Sequence, residues 1–214
     1  MSCLMKINNV IEFFNNEFYK QAVKNSIAGS SSVLDVGCGY NSILGKIRGT
    51  FTSTGIDVFR DCIQVSKKAK NHNKYIVGDI RNLQNFFPKK SFDDVIALDV
   101  IEHLTKTEAQ KMIGQMEKIA KKRVIIMTPN GFYPQEILFG NPHQKHKSGW
   151  HIHDLKALGY RVYGLRGLKY IRGIHAMIQY KPWVLWAIIA FISEPILYFF
   201  PKYAYHIFAV KEIS

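Results

Sequence analysis

The sequence predicts an α/β protein with a doubly wound, mostly parallel seven-stranded sheet, and three observations carry this prediction. Short, continuously apolar runs, typical of strands that are covered on both faces, alternate with helical patterns. A turn with two glycines, Gly37-Cys38-Gly39, directly follows the first apolar run. Aspartates recur where the apolar runs end. The length of 214 residues and the hydrophobic fraction of 47% fit a single globular domain.

The pattern of apolar residues predicts the elements in order. Strands are predicted over residues 33–36, 52–58, 75–77, 94–98, 124–127, 160–165 and 205–210. Helices are predicted from residue 41 through 47, and over residues 60–70, 105–121 and 153–158. Residues 1–18 are predicted to form an amphipathic helix rather than a signal peptide, because Asn and Glu interrupt their apolar residues.

Charge and cysteine content restrict the class of protein. The net charge of +13 suits an anionic partner such as a nucleic acid, a membrane surface or a phosphorylated substrate, although general solubility explains it equally well. Cys3, Cys38 and Cys62 have neither disulfide-like nor zinc-like spacing. A reducing compartment, and therefore a cytoplasmic location, is expected.

Residues 182–200 form a nearly continuous apolar and aromatic run before the last predicted strand. Glu194 and Pro195 are expected to interrupt it. Three alternatives are open: a buried or dimer-forming pair of helices, a patch on a membrane surface, and a true membrane span. Because Lys169, Arg172 and Lys181 flank the run, a peripheral membrane contact through residues 182–200 is one expectation, and a homodimer is another.

Four acidic residues follow one another at the predicted strand ends: Asp35, Asp57, Asp79 and Asp99. The carboxyl ends of parallel strands meet at one edge of a sheet, so these side chains are expected near the glycine turn. Together they would form a pocket for a ligand with several hydroxyl or amino donors. Asp57 comes twenty positions after Gly37, the spacing expected of a carboxylate that binds a ribose.

Several sequence motifs taken together resemble the class I S-adenosylmethionine-dependent methyltransferases, in particular the small type 11 group. The motifs are VLDVGCGYNS, GIDVF, VGDI, FDDVIALDVIEHL and VIIMTPNGF. The resemblance covers roughly residues 30–165 and resumes at the last strand. It implies a Rossmann-like methyltransferase fold with a hydrophobic helical insertion before the last strand. The expected parts are a helical cap (1–30), a cofactor-binding core (31–165), the insertion (166–203) and the last strand (204–214).

The resemblance also implies S-adenosylmethionine as the cofactor and assigns ten residues to its site. They are Asp35, Gly37, Cys38, Gly39, Asp57, Val58, Asp79, Ile80, Leu98 and Asp99. In the family the glycine turn approaches the methionine end through its backbone, and the residue at Asp57 accepts the ribose hydroxyls. Asp79 would bind the adenine amino group with Ile80 against the ring face, while Leu98 and Asp99 would line the methionine side.

A nicotinamide dinucleotide-binding domain is the main rival interpretation of the glycine turn. The run from Gly37 nearly fits G-x-G-x-x-G, and Asp57 fits the ribose carboxylate of that motif. The rival leaves Asp79 and the DVIEHL run without a role. Asn41 stands where the methyltransferase pattern has a third glycine, and asparagine tolerates the left-handed backbone of such a turn.

Histidines are the candidate groups on the acceptor side, with His103, His143 and His146 predicted as catalytic. His103 follows Asp99 by one helical turn in the DVIEHL run. His143 and His146 lie in the loop NPHQKHKSGWHIHD, residues 141–154, which is expected to cover the acceptor. The loop also contains His151 and His153 at metal-like spacing, but no metal is predicted, and a solvated loop is the plain alternative.

The predicted activity is methyl transfer from S-adenosylmethionine to a small-molecule, glycan or lipid-linked acceptor. The alternatives are an RNA ribose methyltransferase and a non-catalytic, cofactor-binding partner subunit. Nucleic acid is the less expected acceptor. The run Asp99-Val100-Ile101-Glu102 stands where amino-methylating enzymes carry a Pro-Pro-aromatic motif, and no cysteine nucleophile lies near the fourth or fifth strand.

Overall fold

The computed structural model describes residues 17–47, 49–137, 140–173 and 176–213. Within them, one sheet contains β1 (Ser32–Val36), β2 (Thr52–Asp57), β3 (Lys74–Val77), β4 (Phe92–Leu98), β5 (Ala120–Pro129), β6 (Arg161–Leu168) and β7 (Ala204–Glu212). The strand order is β3-β2-β1-β4-β5-β7-β6. Among these seven described strands, β7 alone runs in the opposite direction, and it is therefore antiparallel to both of its neighbours, β5 and β6. The predicted fold class, a mostly parallel seven-stranded sheet, is confirmed.

Helices cover the sheet between its strands. They are α1 (17–26), α2 (Arg60–Lys68), α3 (Lys106–Ile119), α4 (Ile152–Ala157) and α5 (Trp183–Phe199). The predicted helix over residues 1–18 falls, up to residue 16, outside the described residues. Helix α3 begins at a capping box in which Thr105 and Glu108 satisfy each other's backbone amides, and this fixes the chain direction just after β4.

Side chains alternate between two apolar layers, one on each face of the sheet. On β5, Val124 and Ile126 join the layer that contains α3, whereas Ile125 and Met127 join the layer that contains α1. Period-two alternation with both faces buried is the signature of a central strand in a covered sheet. Because both faces are covered, a ligand reaches the strands from the carboxyl edge of the sheet.

The predicted helix over residues 41–47 is wrong, since the structure has a single 3₁₀ turn at Ile43–Lys46. Glycine is a poor helix residue, and Gly45 occupies the middle of this segment. A Cβ atom at Gly45 would lie only 3.0 Å from the Cα of Asn71, so the turn is also packed closely against the chain that precedes β3.

The predicted interruption of residues 182–200 is also wrong, because α5 runs without a break through Glu194 and Pro195. Proline removes one amide donor from a helix, but tertiary contacts can outweigh that cost. The Glu194 carboxylate accepts a hydrogen bond of 2.7 Å from the Arg166 amide on β6, which fastens the helix to the sheet. Strand β6 extends to Leu168, three residues into the predicted insertion.

Among the residues that the structure describes, none of the helices combines the length and the apolar character that a membrane span requires. Helix α5 instead lies along β6 and buries one of its faces through Ala187, Ala190 and Leu197.

Candidate active site

Three cavities formed by described residues open along the carboxyl edge of the sheet, and Asp99 lines all three. The β2–β3 cavity, of about 170 Å³, includes Asp57, Asp79 and Ile80. The β1 cavity, of about 190 Å³, includes Cys38. The β7 cavity, of about 220 Å³, is lined by Glu102, His103, Tyr133, His146, Arg166 and His206, among others. Asp99, directly after β4, therefore marks the point where the cavities meet.

The glycine turn after β1 uses its own amide donors within the fold. The amides of Gly37 and Cys38 both donate to the Ile56 carbonyl, at 2.8 and 3.1 Å, and the Gly39 amide donates to Asp57 at 3.0 Å. Gly37 and Gly39 have φ angles of +69° and +57°. The turn thus offers a ligand carbonyl oxygens and open space beside Gly39, which suits a donor group such as an ammonium.

Asp57 ends β2 and faces the β2–β3 cavity together with Val58. Its two oxygens accept the amides of Gly39 and Phe59, the latter at 2.8 Å, so the side chain is held in one orientation. Burial raises the pKa of Asp57, and these amide hydrogen bonds oppose that rise. Each carboxylate oxygen retains a second lone pair that can accept a ligand hydroxyl.

Asp79 lies across the same cavity, where it follows β3 and caps the 3₁₀ turn Ile80–Asn85. The Arg81 guanidinium binds both carboxylate oxygens, at 2.7 and 3.0 Å, and these hydrogen bonds hold the pKa of Asp79 below its usual value. The carboxylate is therefore an ionised acceptor at neutral pH. Ile80 presents an apolar side chain to the same space.

His143 also lines the β2–β3 cavity, which differs from the expectation that the whole loop 141–154 lies on the acceptor side. The structure divides this loop: His143 faces Asp57 and Asp79, while His146 lines the β7 cavity. His143 lies in the 3₁₀ turn Pro142–Gln144, and His146 follows that turn.

Asp35 lies beneath the glycine turn and lines the β1 cavity. It is buried and accepts a hydrogen bond from the Ser42 hydroxyl, which closes the turn from Val36 to Ser42. His72 Nε2 lies 3.5 Å from the same carboxylate. Burial raises the pKa of Asp35 to about 7 and lowers that of His72 to about 4. Leu98 and Cys38 complete the apolar side of this cavity.

Asp99 has a left-handed backbone, with a φ angle of +57°, which is uncommon for a residue other than glycine. Its carboxylate approaches His206 on β7, with 3.1 Å between Oδ1 and Nε2. Burial favours a higher pKa for Asp99, but His206 and Arg166 outweigh it and hold the pKa below the ordinary value. The junction of the cavities thus carries a fixed negative charge.

Glu102, His103 and His146 form a cluster on one wall of the β7 cavity. Glu102 is 2% exposed, and burial raises its pKa well above the ordinary value, with Asp99 adding to the rise. The rings of His103 and His146 meet edge to face at 4.8 Å. Burial lowers the pKa of His103 to about 4, and His146 contributes to that shift. His103 is therefore neutral at pH 7 and has a lone pair to offer.

Sequence analysis missed three residues of this site: Glu102, Arg166 and His206. Glu102 stands in the DVIEHL run beside His103, so its place next to a predicted residue was a usable signal. His206 is a polar residue inside the otherwise apolar start of β7, which also indicates a special role. Arg166 reaches the cavity because its φ angle is +64° at the end of β6, and no sequence pattern shows this.

Comparison with known proteins identifies the family of the central segment. The family model described as "Methyltransferase domain", of type 11, matches residues 34–128. The matched segment extends from β1 into β5 and includes the glycine turn and all four aspartates. Among curated proteins, none matches the chain.

Solved structures share the fold at low sequence identity. A SAM-dependent methyltransferase from Archaeoglobus fulgidus has 18% identity and a TM-score of 0.60, covering 92% of this chain and 94% of that one. The methyltransferase domain of bacterial CtHen1 has 17% identity and a TM-score of 0.57, covering 95% and 100%. Magnesium protoporphyrin IX methyltransferase from Synechocystis, with bound SAH, has 17% identity and a TM-score of 0.55, covering 100% and 89%.

The residues of the site fit S-adenosylmethionine on chemical grounds. Ionised or hydrogen-bonding carboxylates face the β2–β3 cavity, where ribose hydroxyls and an adenine amino group need acceptors, and carbonyl oxygens of the glycine turn suit the ammonium of the methionine part. Over residues 34–128 the chain is similar to the methyltransferase domain family, and the solved structures of S-adenosylmethionine-dependent methyltransferases share its fold.

Proposed function

We propose that this protein transfers the methyl group of S-adenosylmethionine to an amphipathic, lipid-linked acceptor while it rests on a membrane surface. The observation that carries the proposal is an exposed apolar stripe on α5, next to the β7 cavity. Small soluble molecules and glycans are the other acceptors predicted from the sequence, and the experiments below distinguish them from a lipid-linked acceptor.

In this proposal each cavity has one task. The β2–β3 cavity holds adenosine between Asp57 and Asp79, and the β1 cavity holds the methionine part. The β7 cavity receives the acceptor. Asp99 lines all three cavities, so its carboxylate stands where donor and acceptor meet. The cofactor supplies a methyl group on a cationic sulfur, and the protein contributes alignment and exclusion of water.

His103 and His146 are the residues we place against the acceptor, since both line the β7 cavity. Because the pKa of His103 is lowered to about 4, its imidazole is neutral at physiological pH and has a lone pair that faces the acceptor side. His143 was predicted to be catalytic as well. Its position beside Asp57 and Asp79 supports a role at the adenosine end instead.

The apolar stripe consists of five exposed side chains at intervals of three and four residues along α5: Leu185, Ile188, Ile192, Ile196 and Phe199. They range from 47% to 73% exposed. Glu194 is the only charged residue in the sequence of α5, and it faces the sheet. An uncharged stripe of this length on a surface helix is typical of a membrane or protein contact.

Basic residues and aromatic rings surround the stripe, which favours a membrane over a protein partner. Lys181 lies 5.1 Å from the centre of the Trp183 ring, and Lys202 lies 5.6 Å from that of Tyr203. Lys169 lies 5.2 Å from the ring of Tyr170. Lysines bind lipid phosphates, while aromatic rings settle at headgroup depth.

The stripe and the β7 cavity are joined through the ends of β6 and β7. Arg166 lines the cavity, and its amide donates to Glu194 on α5. Asn130, directly after β5, donates to the carbonyls of Pro201 and Ala204, which follow the C-terminal end of α5. An acceptor with its lipid part in the bilayer therefore needs to extend only across the end of α5 to reach the cavity.

Vesicle flotation tests the membrane part of this proposal. The intact chain should float with vesicles that contain anionic lipid at low salt, and Ile192→Glu/Ile196→Glu should remain in the dense fraction. Val65→Glu is the matched control, because Val65 is an exposed apolar residue on α2, outside the stripe. No flotation of the intact chain, or equal flotation of all three proteins, contradicts the membrane contact. A dimer in light scattering that the same double variant dissolves would assign the stripe to a second copy instead.

Formation of S-adenosylhomocysteine tests the acceptor class. We expect turnover with a lipid extract and none with the aqueous small-molecule extract or with RNA. Turnover with RNA would instead favour ribose methylation, for which the net charge of +13 provides an electrostatic reason. A chain that binds the cofactor but turns over with none of the three would support a non-catalytic partner subunit.

A further inference from the structure

A carboxylate and two imidazoles converge on one point of the β7 cavity wall. One ligand atom from each of Glu102, His103 and His146 lies within 4.8 Å of the others. Ligands of one metal ion with bonds of about 2.1 Å stand about 3.4 Å apart in tetrahedral geometry. A movement of little more than an ångström in these side chains therefore brings the three atoms to coordinating distance.

The neighbours of these side chains already orient them as metal ligands. His146 Nδ1 lies 2.6 Å from the Tyr133 carbonyl, and His103 Nδ1 lies 3.4 Å from the Lys145 carbonyl. A carbonyl accepts only, so Nδ1 is the protonated nitrogen in both rings and Nε2 retains the lone pair. Backbone carbonyls that fix the imidazole tautomer in this way are the usual outer partners of metal-bound histidines.

Glu102 provides an independent observation that points to a ligand. Thr128 Oγ1 donates to one carboxylate oxygen, Oε2, at 2.9 Å. The other oxygen, Oε1, is buried without a hydrogen-bond partner among the described residues, and Glu102 as a whole is only 2% exposed. A buried carboxylate oxygen without a partner is costly, and it is rarely left so without a ligand. A cation at the cluster would supply the missing partner.

We infer that Glu102, His103 and His146 bind a divalent first-row transition-metal ion, such as Mn²⁺ or Zn²⁺, that coordinates the acceptor oxygen. Two imidazoles with one carboxylate favour such an ion over Mg²⁺ or Ca²⁺, which take mainly oxygen ligands. Three protein ligands leave positions open toward the cavity. His151 and His153, which completed the metal-like spacing in the sequence, do not belong to this cluster.

The inference rests on the proposed methyl transfer to an acceptor in the β7 cavity, and it specifies the acceptor as one with a hydroxyl oxygen. Bound to the cation, the acceptor hydroxyl loses its proton to solvent at neutral pH. Its oxygen lone pair forms the bond to the methyl carbon, and the carbon–sulfur bond breaks with its electron pair on sulfur. The products are a methyl ether, S-adenosylhomocysteine and one proton.

Metal binding is measured on the full chain with Mn²⁺ alone as the probe, from loss of the EPR signal of the aqueous ion. The intact chain should bind one equivalent, and His146→Ala should weaken this binding by at least about ten-fold. Thr128→Val should weaken it by about 10- to 100-fold through the orientation of Glu102, and Thr128→Ser should restore it. His153 is an exposed histidine of the same loop, so His153→Ala is the matched control and should bind Mn²⁺ as tightly as the intact chain does.

Calorimetry with S-adenosylhomocysteine on the same preparations shows whether each variant is folded and separates the two proposals. Intact cofactor binding with no Mn²⁺ or Zn²⁺ bound to the wild-type chain would overturn the metal site and leave the methyltransferase assignment in place. Equal Mn²⁺ affinity in His146→Ala and His153→Ala would also overturn it. If the wild-type chain does not bind S-adenosylhomocysteine, the result instead contradicts the proposed function itself.

Discussion

The side of the sheet edge that we assign to the cofactor and the side that we assign to the acceptor are built in different ways. On the cofactor side, backbone amides of the turn after β1 bind Ile56 and Asp57 of β2, so two neighbouring strand ends fix each other. On the acceptor side, side chains from β6, from β7 and from the loops after β4 and β5 line one cavity together with Asp99. The first is a backbone framework that fits one cofactor, whereas the second is a set of exchangeable side chains. This difference explains how one fold can keep its cofactor while its acceptor varies.

Replacing a histidine on the acceptor side is the most direct test of this difference between the two sides. His103→Ala should lower turnover by about 10²- to 10⁴-fold, the range for loss of a group that activates or positions the acceptor. Affinity for S-adenosylhomocysteine should change far less, because the carboxylates and the turn that bind the cofactor are untouched. Steady-state turnover with the active extract and calorimetry measure the two effects. Parallel losses in both would show that His103 serves the cofactor side, whose β2–β3 cavity it also borders.

Two glycines of the turn after β1 test whether the cofactor side is a backbone framework. In Gly37→Ala, the new Cβ would lie 2.7 Å from Val100 Cγ2 at a φ angle of +69°, so steric overlap adds to backbone strain. We expect a loss of about 2–5 kcal/mol in the free energy of unfolding. Gly39→Ala meets nothing within 4 Å, and its loss should be limited to about 1–2 kcal/mol of backbone strain.

Urea denaturation of the two alanine variants measures this difference. Equal losses in the free energy of unfolding would mean that Val100 moves aside and that the turn is less constrained than its packing indicates. Gly39→Ala should still bind S-adenosylhomocysteine more weakly than the intact chain, because the methyl group occupies the open space on the ligand side of the turn.

Asp57 tests whether the carboxylates act individually on the cofactor side. Hydrogen bonds to a charged group contribute about 1.5–3 kcal/mol, so Asp57→Ala should weaken S-adenosylhomocysteine binding by roughly ten-fold to more than a hundred-fold. Asp61→Ala is the matched control, since Asp61 is exposed in the first turn of α2 and lines none of the three cavities. Unchanged affinity of Asp57→Ala in calorimetry would remove Asp57 from the cofactor site.

The cofactor side was predictable because its residues follow one another in short motifs at strand ends. The glycine turn, Asp57 and Asp79 are local signals, and the parallel order of strands places them together. The acceptor side was not predictable in the same way. His206 meets Asp99 because β7 is antiparallel and passes beside β5, and the split of His143 from His146 depends on one 3₁₀ turn. Neither feature leaves a periodic pattern in the sequence.

Helix α5 was predicted in position but not in continuity, for a related physical reason. When only the sequence is considered, Pro195 is unfavourable for a helix and Glu194 places a charge in an otherwise apolar run. In the fold, Glu194 accepts the Arg166 amide, and Ala187 and Ala190 pack closely against the sheet. Local propensity therefore predicted a break that tertiary contacts prevent.

The smallest effect we expect concerns pH and Glu194, which joins α5 to the acceptor side. Burial raises the pKa of Glu194 to about 7, although the amide of Arg166 and the charges of Arg172 and Arg166 oppose that rise. Because the folded pKa lies above the unfolded value of about 4.3, the protonated form stabilises the fold. This stabilisation is complete below about pH 4 and is lost as the pH rises through about 7.

Glu194→Gln should remove this pH dependence, because the amide oxygen of Gln can still accept the Arg166 amide and carries no charge. Relative to the wild-type chain, the variant should gain about 1–3 kcal/mol of unfolding free energy between pH 4 and pH 8. Glu212→Gln, at an exposed site near the end of β7, should show no such gain. Urea denaturation at the two pH values measures both variants. Parallel pH dependence of Glu194→Gln and the wild-type chain would mean that Glu194 is ionised throughout and that its contacts with Arg166 and Arg172 outweigh burial.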